Sequence, residues 1–344
     1  MIGVYSDRES RIKALTSRGD TRSNAESLID RDFRDIDDHG QDVRGLFPLS
    51  DFFIDVSTNT NSNLRIKRFF DAIFGTKTIT PDISERAMFS AWSAGLNSAC
   101  LSRQVGASIV DNNGIIIGTG WNDVPKYGGG IYCSENNNGD KRCYKYRTSE
   151  TKDCRNDNEK DVISEQMVSE LVDIGIIDKK HERDAYDYLR NKSRLSDLIE
   201  FSRAIHAEMN AIFNALGSAS SRVKGASIYV TTYPCHNCAR HIILSGIERI
   251  YFIEPYPKSK ATKLHDDSLT ERNEANKVKL IPFEGIAPTR FSEIFSTQGR
   301  VLKSDGNATP SDTTTARLPQ GISLAALFEL EREVAKVYDS KIQK

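Results

Sequence analysis

Runs of apolar residues predict a buried strand flanked by two helices in the second half of the chain. Residues 225–232 are rich in β-branched and aromatic side chains, which is typical of a buried strand. Good helix-forming residues precede this strand at 207–213 and follow it at 239–244. A further apolar run at 249–253 predicts another core strand. The pattern therefore predicts a helix-strand-helix unit followed by a second strand.

A hairpin and a helix are predicted upstream of this unit. Two apolar runs, 107–110 and 115–119, surround the sequence Asp-Asn-Asn-Gly at 111–114, a strong hairpin signal. Small residues within 85–102 predict a closely packed helix. A glycine-rich loop then begins a long insertion, 127–200, for which we favour an oligomer-contact or rim role over a cover for the substrate. Its apolar positions predict amphipathic helices: Val162, Met167, Leu171, Ile174, Ala185, Tyr188 and Leu189.

The two ends of the chain have patterns of their own. In the first 80 residues, 2–5 resembles a strand that enters a helix at 7–13, and 51–55 resembles a strand followed by a helix at 64–70. Polar residues at 306–315 predict a linker. Behind the linker an apolar stripe predicts a C-terminal helix that docks on its own domain or on a neighbouring subunit: Leu324, Leu327, Leu330, Val334, Val337 and Tyr338.

Composition narrows the function classes. The 344 residues include 47 basic and 48 acidic side chains, for a net charge of −1, so there is no surplus for binding a long polyanion. We therefore expect no tRNA or DNA substrate, although a local basic patch is compatible with a neutral total.

The chain shows neither a secretory signal pattern nor an apolar run of membrane-spanning length, and we expect it to be cytoplasmic and away from membranes. Six cysteines in that compartment indicate thiols or metal ligands instead of disulfides.

Four residues around the predicted central strand carry the candidate chemistry. His206, Cys235 and Cys238 supply three ligands for a catalytic zinc, which needs a fourth position open to water, and Glu208 supplies an acid/base carboxylate. Helix N-termini are expected to converge on the metal and to favour ionised thiols at both cysteines. A lone Cys-x-x-Cys could be a redox pair or half of a structural zinc site. In combination with His-x-Glu and the Pro before the first cysteine, the pattern matches the zinc-deaminase signature.

A second group of cysteines lies in the polar insertion. Cys133, Cys143 and Cys154 are candidates for a structural zinc, but their wide spacing lacks a paired Cys-x-x-Cys, so free loop cysteines are the preferred interpretation. Cys100 follows small helical residues and is expected only to pack.

The zinc motif and several other stretches resemble the cytidine deaminase superfamily, in particular its deoxycytidylate deaminase branch. The resemblance covers about residues 85–260 and includes the sequences that begin at Arg103, Gly120 and His206. Where that family usually has Gly-Tyr-Asn-Gly-x-Pro, this chain has Trp121 and Asp123 in place of the tyrosine and the second glycine. The resemblance implies an α/β fold, a three-layer α/β/α arrangement around a mixed five-stranded sheet.

The resemblance also implies a mechanism and substrate contacts. Glu208 would take a proton from water and deliver it to N3 of cytosine while the water oxygen attacks C4. Asn122 would hydrogen-bond the sugar, with a turn-forming role as the alternative, and the backbone from Thr232 through Tyr233 to Pro234 would contact the cytosine amine. Arg103, Lys258 and Lys260 are candidate phosphate contacts, with plain surface positions as the alternative.

More narrowly, the chain resembles bacterial anti-phage deaminases that act on dCTP or dCMP and carry an N-terminal P-loop kinase-like region. Residues 1–80 fit a partial kinase-like segment, but Gly-x-x-x-x-Gly-Lys-Ser/Thr does not occur in the sequence, so no ATP hydrolysis is expected.

The expected division of the chain is 1–80 for this kinase-like remnant, 85–300 for the deaminase domain and 301–344 for the linker and the C-terminal helix. The resemblance implies a homo-oligomer, with a hexamer favoured, and depletion of deoxycytidine nucleotides during infection. A polynucleotide (tRNA or single-stranded DNA) deaminase and a non-enzymatic zinc-stabilised binding module are the alternatives.

Overall fold

The computed structural model describes residues 1–34, 43–57, 62–134, 139–145, 153–256, 259–272, 274–296, 303–309 and 331–336. Cα packing divides the chain into two units. The first comprises Met1–Phe89 together with Pro282–Lys344, and the second comprises Ser90–Ile281.

A six-stranded sheet forms the centre of the second unit. Its strands in spatial order are β4 (Ile116–Trp121), β3 (Gly106–Val110), β5 (Ser227–Thr232), β6 (Arg249–Glu254), β8 (Val278–Pro282) and β7 (Leu269–Thr270). β3 pairs antiparallel with both β4 and β5, whereas β5 pairs parallel with β6, and β7 pairs parallel with β8. The mixed α/β character predicted from the sequence is confirmed. The five-strand count is wrong, because the two-residue strand β7 adds to β8 and is too short to leave a periodic signal in the sequence.

The helices of this unit include those predicted on either side of the central strand. Their bounds are α6 (Arg155–Asp173), α7 (Glu182–Asn191), α8 (Ala207–Ala219), α9 (His236–Leu244) and α10 (Ala261–Leu264). Short 3₁₀ turns lie at Lys179–His181, Arg194–Asp197 and Ser220–Arg222. The predicted hairpin is also present, with β3 and β4 joined through the turn at residues 111–114.

Glycines in β4 allow helix α8 to lie directly on the sheet. A Cβ at Gly120 would come within 2.3 Å of the backbone nitrogen of Ala211, and a Cβ at Gly118 within 2.8 Å of the Ala211 carbonyl oxygen. Side chains one helical turn apart on α8 then donate to alternate carbonyl groups of β4: Asn210 to Trp121 at 3.1 Å, Asn214 to Thr119 at 2.8 Å and Ser218 to Ile117 at 3.2 Å. This contact fixes the N-terminal end of α8, where His206 and Glu208 lie.

The first unit is built on a three-stranded sheet in the order β1 (Ile2–Tyr5), β2 (Phe52–Asp55) and β9 (Gly285–Ile286). β1 and β2 are parallel and β9 is antiparallel to β2. Its helices are α1 (Arg8–Thr16), α2 (Arg22–Arg34), α3 (Val43–Leu46), α4 (Ser62–Ile73), the start of α5 (Ile83–Gly95) and α11 (Phe291–Phe295), with 3₁₀ turns at Phe47–Leu49 and Pro288–Arg290. The strand and helix pairs predicted in the first 80 residues are thus present.

This unit is not continuous along the chain. Phe52 and Ile54 of β2 pack with Phe69 of α4 and with Ile286 and Ile294 from the later segment. Glu85, whose side chain is fully buried, accepts two hydrogen bonds from Arg68 at 2.7 and 2.8 Å and one from the backbone N–H of Ile286 at 3.0 Å. The structure therefore groups residues 282–296 with the N-terminal segment, whereas sequence patterns placed them with residues 85–300, because the two-residue strand β9 gives no pattern of its own.

The C-terminal region is described only in part. Two-residue strands β10 (Lys303–Ser304) and β11 (Asn307–Ala308) form an antiparallel hairpin where the predicted linker begins. Residues 331–336 are helical and Val334 is exposed, whereas the other members of the predicted stripe (Leu324, Leu327, Leu330, Val337 and Tyr338) lie outside the described residues. Within the described segments, every helix is too short or too polar to cross a lipid bilayer.

Candidate metal and substrate site

The ends of three elements converge to form the candidate site. Strand β5 ends at Thr232, and the chain then turns through Pro234 into α9, which has Cys235 as its N-cap residue. The Cys235 sulfur accepts a hydrogen bond from the backbone N–H of Cys238 at 3.4 Å. His206 holds the corresponding N-cap position of α8. Two helix N-termini and the end of a central strand therefore meet at one edge of the sheet, as the sequence predicted.

His206, Cys235 and Cys238 bring three ligand atoms together. The Nδ1 atom of His206 lies 3.3 Å from Cys235 Sγ and 3.2 Å from Cys238 Sγ, and all three atoms lie within 4.8 Å of one another. Bonds of about 2.0–2.3 Å from a tetrahedral zinc would separate such atoms by roughly 3.5 Å. The donor set and its spacing therefore fit zinc with one position left open.

Glu208 lies beside these ligands and is almost completely buried. Its side chain is 4% exposed, and it lines the same cavity as His206 and Cys235. Burial raises the pKa of the Glu208 carboxyl, and the nearby Cys235 thiolate raises it further. A carboxyl group with a raised pKa is suited to carry a proton back and forth near neutral pH.

The two cysteines differ in their ionisation. Hydrogen bonds from the Cys238 thiol and from His206 lower the pKa of Cys235 to about 4, against the effect of burial. Burial raises the pKa of Cys238 well above its ordinary value. Burial also opposes the charged form of His206, but the adjacent Cys235 thiolate outweighs that effect and raises the pKa of His206 to about 9. The direction at Cys235 agrees with the prediction that both thiols ionise readily, whereas at Cys238 burial opposes the thiolate.

A cavity of about 270 Å³ opens beside Glu208. Asn122, predicted to contact the sugar, lines it and is 8% exposed. The Asn122 side chain is already engaged: its Oδ1 accepts from the backbone N–H of Val105 at 2.7 Å, and its Nδ2 donates to the carbonyl of Arg103 at 2.8 Å. One N–H and one lone pair of this amide are left for a ligand.

Three other predicted contacts also line the cavity. Thr232 is buried, and the hydroxyl of Tyr233 donates to Glu271 at 2.7 Å. Arg103 forms an ion pair with Glu254, which offsets its charge.

The two predicted lysines have different outcomes. Lys260 is exposed and lies outside the described lining of the cavity, and Lys258 lies outside the described residues. Instead, Arg155 at the start of α6 and Arg203 line the cavity. Arg203 donates to the carbonyl of Lys141 at 3.4 Å. Neither arginine was predicted from the sequence.

The cysteines of the insertion were candidates for a structural zinc, with free cysteines as the preferred interpretation, and in the described segments they do not form a ligand cluster. Within the described segments, the cluster of His206, Cys235 and Cys238 is the single group of at least three potential metal ligands. Cys133 is exposed, whereas Cys143 and Cys154 line the cavity together with Cys100. Burial raises the pKa of the Cys143 thiol, which favours a neutral group. The expectation that Cys100 only packs missed its place in the cavity wall.

Known proteins are similar to this chain in the region that contains the candidate metal ligands. Residues 167–254 match the family model of the cytidine and deoxycytidylate deaminase zinc-binding region, a range that contains the three candidate ligands and Glu208. Deoxycytidylate deaminase of Enterobacteria phage T2 is 33% identical over 174 residues, which cover 49% of this chain and 79% of the relative. The phage T4 deoxycytidylate deaminase is 32% identical over 174 residues, with 49% and 77% covered. The structure of dCMP deaminase from cyanophage S-TIM5 in complex with dCMP and dUMP aligns over 60% of this chain and 99% of that one, with 19% identity and a TM-score of 0.33.

Proposed function

The chain belongs to the cytidine and deoxycytidylate deaminase family, and from this membership we propose that it deaminates deoxycytidine nucleotides. As a member of that family it is a hydrolytic deaminase. The reaction replaces the exocyclic amine at C4 of cytosine with an oxygen atom from water and releases ammonia. The observation that carries the proposal is the buried cluster of His206, Cys235 and Cys238 beside the carboxyl of Glu208.

Zinc would be held by His206, Cys235 and Cys238, whose donor atoms suit its preference for nitrogen and sulfur ligands. When bound, zinc acts as a Lewis acid that lowers the pKa of water toward about 7. Both cysteine ligands are buried. Because thiolates and a neutral imidazole are the binding forms, loading the site releases protons.

Glu208 is the proton carrier in this proposal. Its burial and raised pKa allow the carboxyl to accept a proton from the attacking water and to deliver it to N3 of the base. The same carboxyl then takes the proton of the new C4 hydroxyl and passes it to the amine, so that the C4–N bond breaks, ammonia leaves and the C4 carbonyl of uracil forms. The backbone from Thr232 to Pro234 would orient the cytosine amine, since it leads directly from β5 to the Cys235 ligand.

The dimensions of the cavity support a mononucleotide as the substrate. Its volume of about 270 Å³ is near the lower end of small-molecule pockets, which span about 300–1000 Å³. The amide of Asn122 retains one donor and one acceptor for the deoxyribose. The charge balance of the chain gives no support to a long nucleic acid as an alternative substrate.

We assign the 5′-phosphate to Arg155 and Arg203, in place of the lysines considered from the sequence. Both arginines line the cavity that contains Glu208. A guanidinium group binds phosphate through two parallel N–H donors, which gives both charge and geometry. Arg103 lines the same cavity, but its ion pair with Glu254 makes it a weaker candidate for the phosphate.

The test compares deoxycytidine, dCMP, dCTP and a cytosine-containing DNA single strand as substrates. We expect Arg155→Gln and Arg203→Gln to lower kcat/KM for dCMP by about 10- to 100-fold, as the loss of one charge-assisted contact of 1.5–3 kcal/mol implies. The rate with deoxycytidine should not change.

Arg183→Gln, which removes an exposed arginine of α7, is the matched control and should leave both rates unchanged. Equal losses with deoxycytidine and dCMP would contradict the phosphate assignment, and deamination of the DNA strand alone would contradict the mononucleotide proposal.

The proposal extends to dCTP and to a role in anti-phage defence through depletion of the deoxycytidine nucleotide pool. The resemblance of the motifs to bacterial anti-phage deaminases supports this extension. The measurement is the ratio of dCTP to dUTP and dUMP in infected cells with and without the protein. An unchanged ratio would contradict the defence role and leave the enzymatic proposal intact.

Two further expectations complete the proposal. We propose that the chain forms a homo-oligomer, with a hexamer favoured, which light scattering of the purified protein would test.

We also propose that residues 1–80 are a kinase-like remnant without ATPase activity. The parallel strands β1 and β2 alternate with helices, but the sequence Gly-x-x-x-x-Gly-Lys-Ser/Thr is absent from the chain. Hydrolysis of ATP by the purified chain would contradict the latter.

A further inference from the structure

A buried ion cluster lies in the insertion next to the cavity. Arg142 donates from Nη2 to Asp140 at 2.8 Å and from Nε to the same carboxylate at 3.0 Å. Its Nη1 reaches the carboxylate of Asp123 at 3.4 Å. The three side chains are only 5%, 3% and 2% exposed, respectively. The Arg142 guanidinium holds the pKa of the Asp140 carboxyl well below its usual range.

Other polar groups surround this cluster. The hydroxyl of Tyr144 donates to Asp140 at 3.2 Å, and its ring lies 5.3 Å from the Arg142 guanidinium carbon. Lys145 lies 3.5 Å from Asp140, but 47% of its side chain is exposed. Ser134 accepts from Arg142 at 3.4 Å. Arg142 is therefore the one buried cation that faces both carboxylates among these described neighbours.

Asp123 connects the cluster to the wall of the cavity. Its Oδ2 accepts from the backbone N–H of Ala99 at 3.1 Å, and its Oδ1 accepts from the backbone N–H of Val124 at 2.8 Å. Its carbonyl oxygen accepts from the N–H of Ile205 at 3.0 Å, one residue before His206. Ala99, Asp123 and Val124 all line the cavity. One aspartate thus fixes three backbone segments around the candidate substrate.

We propose that Arg142 is a positioning residue that, through Asp123, holds the cavity wall formed by Ala99, Asp123 and Val124 in the geometry that the substrate requires. This proposal rests on the proposed function, because it takes this cavity to be the nucleotide site. Arg142 does not line the cavity and therefore acts through Asp123.

The consequences of losing Arg142 follow from its burial. Without the guanidinium, Asp140 and Asp123 are left as buried carboxylates without their common partner, which is unfavourable. Asp123 then has to move toward water, and this movement weakens its bonds to the N–H groups of Ala99 and Val124. A displacement of about 1 Å in a positioning element can lower the rate by about 100-fold.

The matched control is Arg190, another arginine of the insertion that binds two aspartates. It donates to Asp161 at 2.5 Å and to Asp157 at 3.0 Å, and joins α7 to α6. Arg190 lies outside the described lining of the cavity. Arg190→Met therefore reports the general cost of removing an ion pair from this insertion.

Hydrogen exchange is the readout that requires no substrate. In the full chain, we expect Arg142→Met to speed exchange at the amides of Ala99, Val124 and Ile205 by about tenfold or more, since local opening becomes easier. Arg142→Lys retains the charge but cannot bind two carboxylates through a planar fork, so it should stay folded and still show faster exchange. Arg190→Met should leave these three amides unchanged. Unchanged exchange at all three amides in both Arg142 variants would overturn the proposal.

Kinetics with dCMP supply the second readout. We expect both Arg142 variants to lower kcat/KM by about 100-fold with full zinc content, and Arg190→Met to have less than about a twofold effect. Equal losses for Arg142→Lys and Arg190→Met would overturn the positioning role. A wild-type protein that is inactive on cytosine nucleotides would refute the proposed function instead, while the exchange measurement would still decide whether Arg142 holds the wall.

Discussion

The side chain of Asn122 binds the backbone of Val105, with Oδ1 2.7 Å from the amide nitrogen. The same side chain donates to the carbonyl of Arg103, and the carbonyl of Asn122 accepts from the Ser98 hydroxyl at 2.6 Å. Asn122 thereby joins the end of β4 to the segment that leads into β3. A residue considered from the sequence for its contact with the sugar thus has a structural function in the wall of the cavity.

Replacing Asn122 with alanine should therefore reduce stability as well as activity. The partly buried N–H of Val105 and carbonyl of Arg103 lose their partners, which costs about 1–3 kcal/mol of unfolding free energy. Urea denaturation of the zinc-loaded protein measures this change. Asn113→Ala, in the exposed β3–β4 turn, is the control and should stay within about 0.5 kcal/mol of wild type. An Asn122→Ala protein of wild-type stability would leave the sugar contact as the sole role of this side chain.

Replacing Gly120 with alanine should displace helix α8. The new Cβ would lie 2.3 Å from the Ala211 nitrogen and 2.6 Å from the Ala207 carbonyl oxygen, and backbone atoms cannot yield as a flexible side chain can. We expect a loss of about 3 kcal/mol in unfolding free energy and lower activity, because α8 carries Glu208. Gly217→Ala lies in open space on the same helix and should stabilise the protein by about 1 kcal/mol. A neutral Gly120→Ala variant would contradict this packing.

Zinc content should depend on Cys238 and not on Cys133. Cys238→Ser removes a buried ligand, and we expect the dialysed protein to lose its metal, whereas exposed Cys133→Ser should retain one zinc per chain. Elemental analysis of both variants beside wild type measures the stoichiometry. Two zinc ions per wild-type chain, with one of them lost in Cys133→Ser, would instead establish a structural zinc site that includes Cys133.

The local patterns predicted the elements that carry the chemistry. The helix-strand-helix order, the hairpin before it and the metal ligands depend on short-range signals such as β-branched runs, turn residues and N-cap positions. These signals are strong because the motif and the elements lie close together in sequence. The convergence of His206 with Cys235 and Cys238 then follows from the two helix N-termini lying at one edge of the sheet.

What the sequence did not predict depends on distant pairings. Strands β7 and β9 have two residues each, which is too few for a pattern. β9 is placed by its pairing with β2, far earlier in the chain, and β7 by its pairing with the following strand β8. Arg155 and Arg203 reach the cavity only through the path of the insertion, and no local pattern separates them from other arginines. The same holds for Asp123, which stands where the resembled family has glycine: its partner Arg142 lies in the insertion, and no local pattern pairs the two residues.

The most direct test of the central claim is ammonia release from dCMP by the zinc-loaded wild-type protein and by Glu208→Gln. The variant keeps the size and burial of the side chain but cannot carry the proton, so we expect normal zinc content and a turnover lower by about 10²–10⁴-fold. The wild type should yield equal amounts of dUMP and ammonia. No dUMP from the zinc-loaded wild type, or wild-type turnover by Glu208→Gln, would contradict the account.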